Sequence, residues 1–147
     1  MFTQTTSSCK TLVNPFFLRY PEADWEKIKI GAGTPPVLCK YGWLVVYHGV
    51  HQILPVGDEP HHLVYSAGIM ILDVNKPDKI LYRSPFPILE PMLAEEKIGM
   101  VPSVVFPTGI GRRDDLGTPN RFDIHHGMTD NYTRVARLDI PDELPFL

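Results

Sequence analysis

Apolar positions run almost without interruption through Gly42-Trp43-Leu44-Val45-Val46-Tyr47-His48-Gly49-Val50. The run is rich in aromatic and β-branched residues and barely alternates, as a strand buried on both faces does. It stops at one imidazole, His48, followed by Gly49, where a ligand or another backbone can approach closely. Upstream, Ile30-Gly31-Ala32-Gly33-Thr34-Pro35-Pro36 forms a rigid loop poor in side chains. Val37 to Lys40 reads as a short strand and Tyr41-Gly42 as the hairpin turn into the central run.

The same logic extends downstream. His51 to His62 is a polar loop, and His61 to Asp73 a long strand expected to bend near Gly68. Lys79 to Ser84 alternates as an exposed edge strand does. These four strands, joined by short antiparallel connections, amount to one propeller-type blade. Pro85 to Pro91 is an extended connector, and Leu93 to Ile98 has room for one helical turn. Val101 to Phe106 opens a second blade, continued by Arg121 to Gly127 and Thr133 to Leu138 around a hairpin loop at Asp114 to Asn120. The predicted fold is all-β, in one domain over residues 1–147.

Composition narrows the picture. The 15 prolines among 147 residues are roughly twice average usage. They are scattered, which favours short elements joined by stiff turns. A hydrophobic content of 44% is ample for one core. The net charge of −3 disfavours nucleic acid as a partner, since no Lys/Arg cluster survives the pairing of Arg112-Arg113 with Asp114-Asp115. Cys9 and Cys39 make neither a disulfide framework nor a metal knuckle and suggest a reducing compartment. Met1 to Lys10 lacks signal-peptide character and no apolar run is long enough for a membrane span, so a cytoplasmic, soluble protein is expected. His61-His62 and His125-His126 do not build a metal site: neighbours on a strand face opposite ways, so each pair lends at most one ligand.

Taken in order, these residues resemble glycoside hydrolase family 130. The similarity lies in Lys29 to Pro36, Gly42-Trp43-Leu44, Tyr47-His48-Gly49, Tyr65 with Ala67-Gly68, Leu72-Asp73 and Pro77-Asp78. It continues through Val101 to Phe106, His125-His126-Gly127-Met128-Thr129-Asp130 and Val135 to Leu138. The family comprises β-mannoside phosphorylases and β-1,2-mannosidases on a five-bladed β-propeller. From Asp24 to Pro145 the chain resembles the C-terminal half of such a domain, which implies two to three blades of a partial propeller. Ser103 and His125-His126 depart from the family pattern, which often has Asn and two tyrosines there.

The resemblance implies a phosphate site made by Lys29 and His48. Asp130, Tyr65, Phe106 and His126 are the candidate substrate-binding residues: the resemblance implies Asp130 for sugar hydroxyls, with a turn-capping residue as the alternative, while Tyr65 and Phe106 read as aromatic walls or as plain core. On chemistry alone, Lys29 reads as a solvated strand residue and His48 as a satisfied buried histidine. Asp73 and Glu96 read as structural. No catalytic residue is assigned, because the family's general-acid aspartate lies in its N-terminal half. No cofactor is implied; inorganic phosphate is the co-substrate and a β-mannoside oligosaccharide the partner. An inverting β-1,2-mannosidase and a non-catalytic carbohydrate-binding half-propeller are the alternatives. A cut ring would bare the apolar faces between blades, with Val101 to Phe106 on one of them, so a homo-oligomer or a missing N-terminal half is expected.

Overall fold

The computed structural model describes residues 19–54, 57, 61–129 and 131–144. The first sheet contains β1 (Lys29–Gly31), β2 (Val37–Cys39), β3 (Gly42–Ile53), β4 (His62–Leu72) and β5 (Ile80–Arg83). β1 and β2 both pair with the same edge of β3, β1 opposite His48 to Val50 and β2 opposite Gly42 to Leu44. They are the two ends of one interrupted strand, so the sheet is the expected four-stranded blade, all antiparallel, in the order β1/β2–β3–β4–β5. Residues 32–36 fill the interruption and stay close to the sheet. Thr34 donates its N–H to the Val46 carbonyl (2.8 Å), and its Oγ1 accepts the Val46 N–H (3.2 Å).

The far edge of β4 is covered along its length. After β5, Ser84 bonds Ile69, Ile88 and Leu89 bridge Ala67, and the carbonyl of Ser103 accepts the Tyr65 N–H. A single turn, α1 (Ala94–Lys97), sits within this path. The buried Glu96 carboxylate there accepts the N–H groups of Met92 and Leu93. The second sheet, β6 (Val105–Arg112), β7 (Arg121–Met128) and β8 (Tyr132–Asp139), is a three-stranded antiparallel meander. Among the described residues no helix is long and apolar enough to cross a membrane.

Leu44, Val46, Ala67, Ile69 and Ile71 on one face of the first sheet pack against Phe122 and Ile124 of β7, with Cys39, Ile140 and Leu144 closing the cluster. Val104 and Val105 are buried, not bared on a cut blade face as the sequence suggested. The face of the second sheet that points away from this core is ionic. Arg121 makes two bonds to Asp139 (2.7 and 2.8 Å), while Asp123 accepts from both Arg113 and Arg137.

The opposite face of the first sheet holds Trp25, Tyr47, Met70 and Leu72. Trp25 lies flat over two glycines. A Cβ added at Gly49 would come within 2.4 Å of its ring, and one at Gly68 within 2.6 Å. The close approach allowed by Gly49 is thus taken by the chain's own indole. Gly68 serves the same packing, and the irregular register of β4 falls later, between Ile71 and Leu72.

Beside Trp25, Glu26 is fully buried and accepts the N–H groups of Glu22 (2.9 Å) and Ala23 (3.1 Å), the Tyr47 hydroxyl (2.8 Å) and the Arg83 guanidinium. Arg83 also donates to the Tyr47 hydroxyl (3.2 Å) and the Tyr20 carbonyl (3.1 Å). β5 is therefore not the simple exposed edge that its alternation suggested, since its last side chain turns inward to a buried charge. Burial alone would raise the Glu26 carboxyl, but these four donors outweigh it and hold the group below its ordinary value. Burial pushes the Tyr47 phenol well above the ordinary range.

Three outcomes follow from this packing. Arg83→Met strands the Glu26 carboxylate and costs about 3–5 kcal/mol in urea unfolding at neutral pH, with Glu26→Gln/Arg83→Met recovering part of it. Because the Glu26 pKa is lowered on folding, its contribution is complete above the unfolded value of about 4.3 and fades as the pH falls below it; urea midpoints measured across that range report the loss. Gly49→Ala drives a methyl into the Trp25 ring and destabilises by about 1–3 kcal/mol, with a change in indole fluorescence.

Candidate functional site

Strand register brings the sequence-predicted residues together. Lys29 faces Val50, which faces Tyr65; two residues on, Gly31 faces His48, which faces Ala67. Residues two apart on a strand share a face, so Lys29, His48 and Tyr65 project from the same side of the sheet. The small residues flanking His48 leave room for its ring. A Cβ at Gly31 would lie 2.3 Å from its Cε1, so the imidazole leans over the β1 backbone at the one strand position without a side chain.

Three groups hold that ring. The Ala32 carbonyl lies 2.8 Å from Nδ1. Phe106 packs against the ring at 4.4 Å between centroids, and Tyr65 lies nearly parallel to it at 6.0 Å. The Lys29 ammonium sits 5.4 Å from the centre of the Tyr65 ring, within cation–π range. His48 is 8% exposed. Burial lowers its pKa, the Ala32 carbonyl works against that, and the Lys29 charge adds to the lowering. Its surroundings therefore favour the neutral imidazole. The cluster thus pairs a mobile cation with a fixed neutral imidazole beside two aromatic rings.

His126 sits elsewhere in the packing. It projects from β7 opposite Pro107, is 2% exposed, and its Nδ1 has no hydrogen-bond partner among the described residues. Burial lowers its pKa, opposed by Glu96 and assisted by Arg134. Its neighbour His125 is exposed on the other face, as strand alternation requires. Asp130 lies outside the described residues. Among those described, no group of three or more His, Cys, Asp or Glu is arranged to hold a metal ion.

Sequence reasoning missed two parts of this region. The Ala32 carbonyl that orients His48 is a backbone group and carries no residue signature beyond the glycines around it. The Trp25, Glu26, Tyr47 and Arg83 cluster behind the sheet joins positions up to 58 residues apart, and no local pattern marks it.

Comparisons with known proteins bear on the family and the fold. The family model described as β-1,4-mannooligosaccharide phosphorylase, of glycoside hydrolase family 130, matches residues 8–146. A 1,2-β-oligomannan phosphorylase of Thermoanaerobacter sp. (strain X514) is 35% identical over 118 residues, 80% of this chain and 35% of its own. A β-1,4-mannooligosaccharide phosphorylase of Ruminococcus albus is 33% identical over 127 residues, 86% of this chain and 35% of its own. The structure of a β-1,2-mannobiose phosphorylase of Listeria innocua, in complex with β-1,2-mannobiose, superposes with a TM-score of 0.65 at 27% identity, covering 82% of this chain and 30% of that one. The chain thus spans about a third of the length of the curated relatives it matches. Its two sheets are blades of a partial propeller. A match that covers nearly the whole of this sequence shows that the chain belongs to glycoside hydrolase family 130.

Proposed function

We propose that this chain forms the phosphate-holding part of an inverting β-mannoside phosphorylase. In this reading Lys29 supplies a point charge and His48 a directed nitrogen for inorganic phosphate. Tyr65, Phe106 and Asp130 contribute to the mannoside side of the site. The observation that carries it is the shared face of Lys29 and His48, in adjacent rows of one sheet, beside Tyr65 and Phe106. The charge that acts on His48 is the Lys29 cation. An inverting hydrolase would instead need a carboxylate there to activate water.

In phosphorolysis a phosphate oxygen bonds to the anomeric carbon as the bond to the departing sugar's oxygen breaks. A carboxylic acid delivers the proton to that oxygen, and mannose 1-phosphate forms with inversion. We assign the acid to polypeptide outside this chain, whether the missing part of a full-length enzyme or a second copy. No cofactor enters this reading.

Phosphate titrations of the purified chain, followed by calorimetry, should show binding that Lys29→Met weakens by tenfold or more, the loss of a charged hydrogen bond of about 1.5–3 kcal/mol. The chain alone should release no mannose 1-phosphate from β-mannobiose, since positioning and acid catalysis are incomplete. Phosphate-independent release of mannose would favour the hydrolase instead. Light scattering over a concentration series should give a mass above the 16.6 kDa of one chain. The side chains of Met92, Ile98 and Met100 are 72–82% exposed and need cover. A monomer at every concentration would end the proposal of self-assembly.

A further inference from the structure

The bond from His48 to Ala32 decides more than the ring's orientation. A carbonyl oxygen has no proton to give, so at 2.8 Å the Nδ1 of His48 must carry the hydrogen. A neutral imidazole then has its lone pair on Nε2. That nitrogen lies on the Gly31 side of the ring, where a Cβ would stand 2.6 Å away. No donor among the described residues reaches it, and it is not among their buried unpartnered atoms, so it is the part of this largely buried side chain that stays open to a donor from outside. An open acceptor on a side chain otherwise packed and oriented by the protein is met by a ligand or an ordered water.

The alternative is to protonate His48 and make Nε2 a donor, and its surroundings resist this. β1 presents Lys29, a cation; β4 presents Tyr65, a neutral phenol; β6 presents Phe106, which is apolar; and Val50 is its neighbour on the same face of β3. No described carboxylate faces the ring to balance a second positive charge.

Resting on the phosphate reading above, we infer that the His48 site selects an oxyanion that still carries a proton, its hydroxyl donating to Nε2 while Lys29 meets an unprotonated oxygen. Hydrogen phosphate and hydrogen arsenate satisfy both groups. Sulfate, of similar size and charge but with no hydroxyl at neutral pH, leaves Nε2 facing a lone pair. The site is thus a filter for protonated tetrahedral anions rather than a general anion hole. Backbone geometry sets that filter through the Gly31-Ala32-Gly33 loop.

The test uses the whole chain, with phosphate, sulfate and mannose added separately. Long-range proton–nitrogen spectra of the histidine rings should show Nε2 of His48 as the unprotonated nitrogen in the free protein, shifting on addition of phosphate. At about pH 8, phosphate should bind at least about tenfold more tightly than sulfate, because a site built to accept from a hydroxyl rejects the analogue without one. Near pH 5.5, below the ordinary imidazole value, the preference should narrow as Nε2 gains a proton. His48→Asn, whose amide can donate, should abolish the preference while keeping the circular dichroism of the parent. Equal affinity for sulfate and phosphate at pH 8, or a proton already on Nε2 in the free chain, overturns this inference alone. A shift of Nε2 with mannose and none with phosphate overturns it in favour of a sugar hydroxyl. Binding of neither anion overturns the phosphate reading itself, and the inference with it.

Discussion

Everything in this structure depends on β3 having no free side. β4 pairs with it along one edge, and β1, the Thr34 contact and β2 share the other. Its two faces pack against the second sheet and against Trp25. A strand so enclosed cannot solvate a polar side chain, so each one it carries must find its partners inside the protein. Tyr47 and His48 are consecutive and project to opposite faces, and they solve this differently. Tyr47 enters a closed network with Glu26 and Arg83. His48 has one nitrogen satisfied by Ala32 and the other without a partner among the described residues.

Much of this was legible in the sequence. The uninterrupted apolar run from Trp43 to Tyr47 marked a doubly buried strand, and turn residues delimited the hairpins on both sides of it. The Gly/Pro loop and His48 were readable as neighbours, because antiparallel pairing folds residues just before a hairpin back onto those just after it. What escaped were pairings between distant positions. Arg83 alternates with Tyr82 as an edge strand should, and nothing local says that its guanidinium reaches Glu26. Trp25 likewise gives no sign that it fills the space above Gly49. The burial of Val104 and Val105 was missed for a related reason: whether an apolar segment is covered depends on how the second sheet docks.

The two sides of the second sheet show how the molecule handles its boundary. Phe122 and Ile124 face the core, while Arg121, Asp123, Arg137 and Asp139 on the other side neutralise one another in pairs. Such exposed pairs add little stability individually, but they keep that face from being sticky. Several of the most exposed apolar residues lie instead in the path between the sheets, at Phe86, Met92, Ile98 and Met100. That contrast separates a face of paired charges from a path that presents large apolar side chains.

The clamp of Thr34 on Val46 has a thermodynamic side. With both backbone ends of the loop in β-pairing and its middle tied to β3, the Ala32 carbonyl has little freedom to rotate away from His48. The imidazole, wedged between Phe106 and the Gly31 backbone, has little freedom of its own. The entropy of ordering this part of the site is thus spent during folding, not at the moment a ligand arrives. Lys29 is different: it is exposed, and in the proposed phosphate site its four-carbon stem would be immobilised only on binding. In that site the two groups would differ in temperature dependence, the lysine's share of the affinity weakening more as the protein warms.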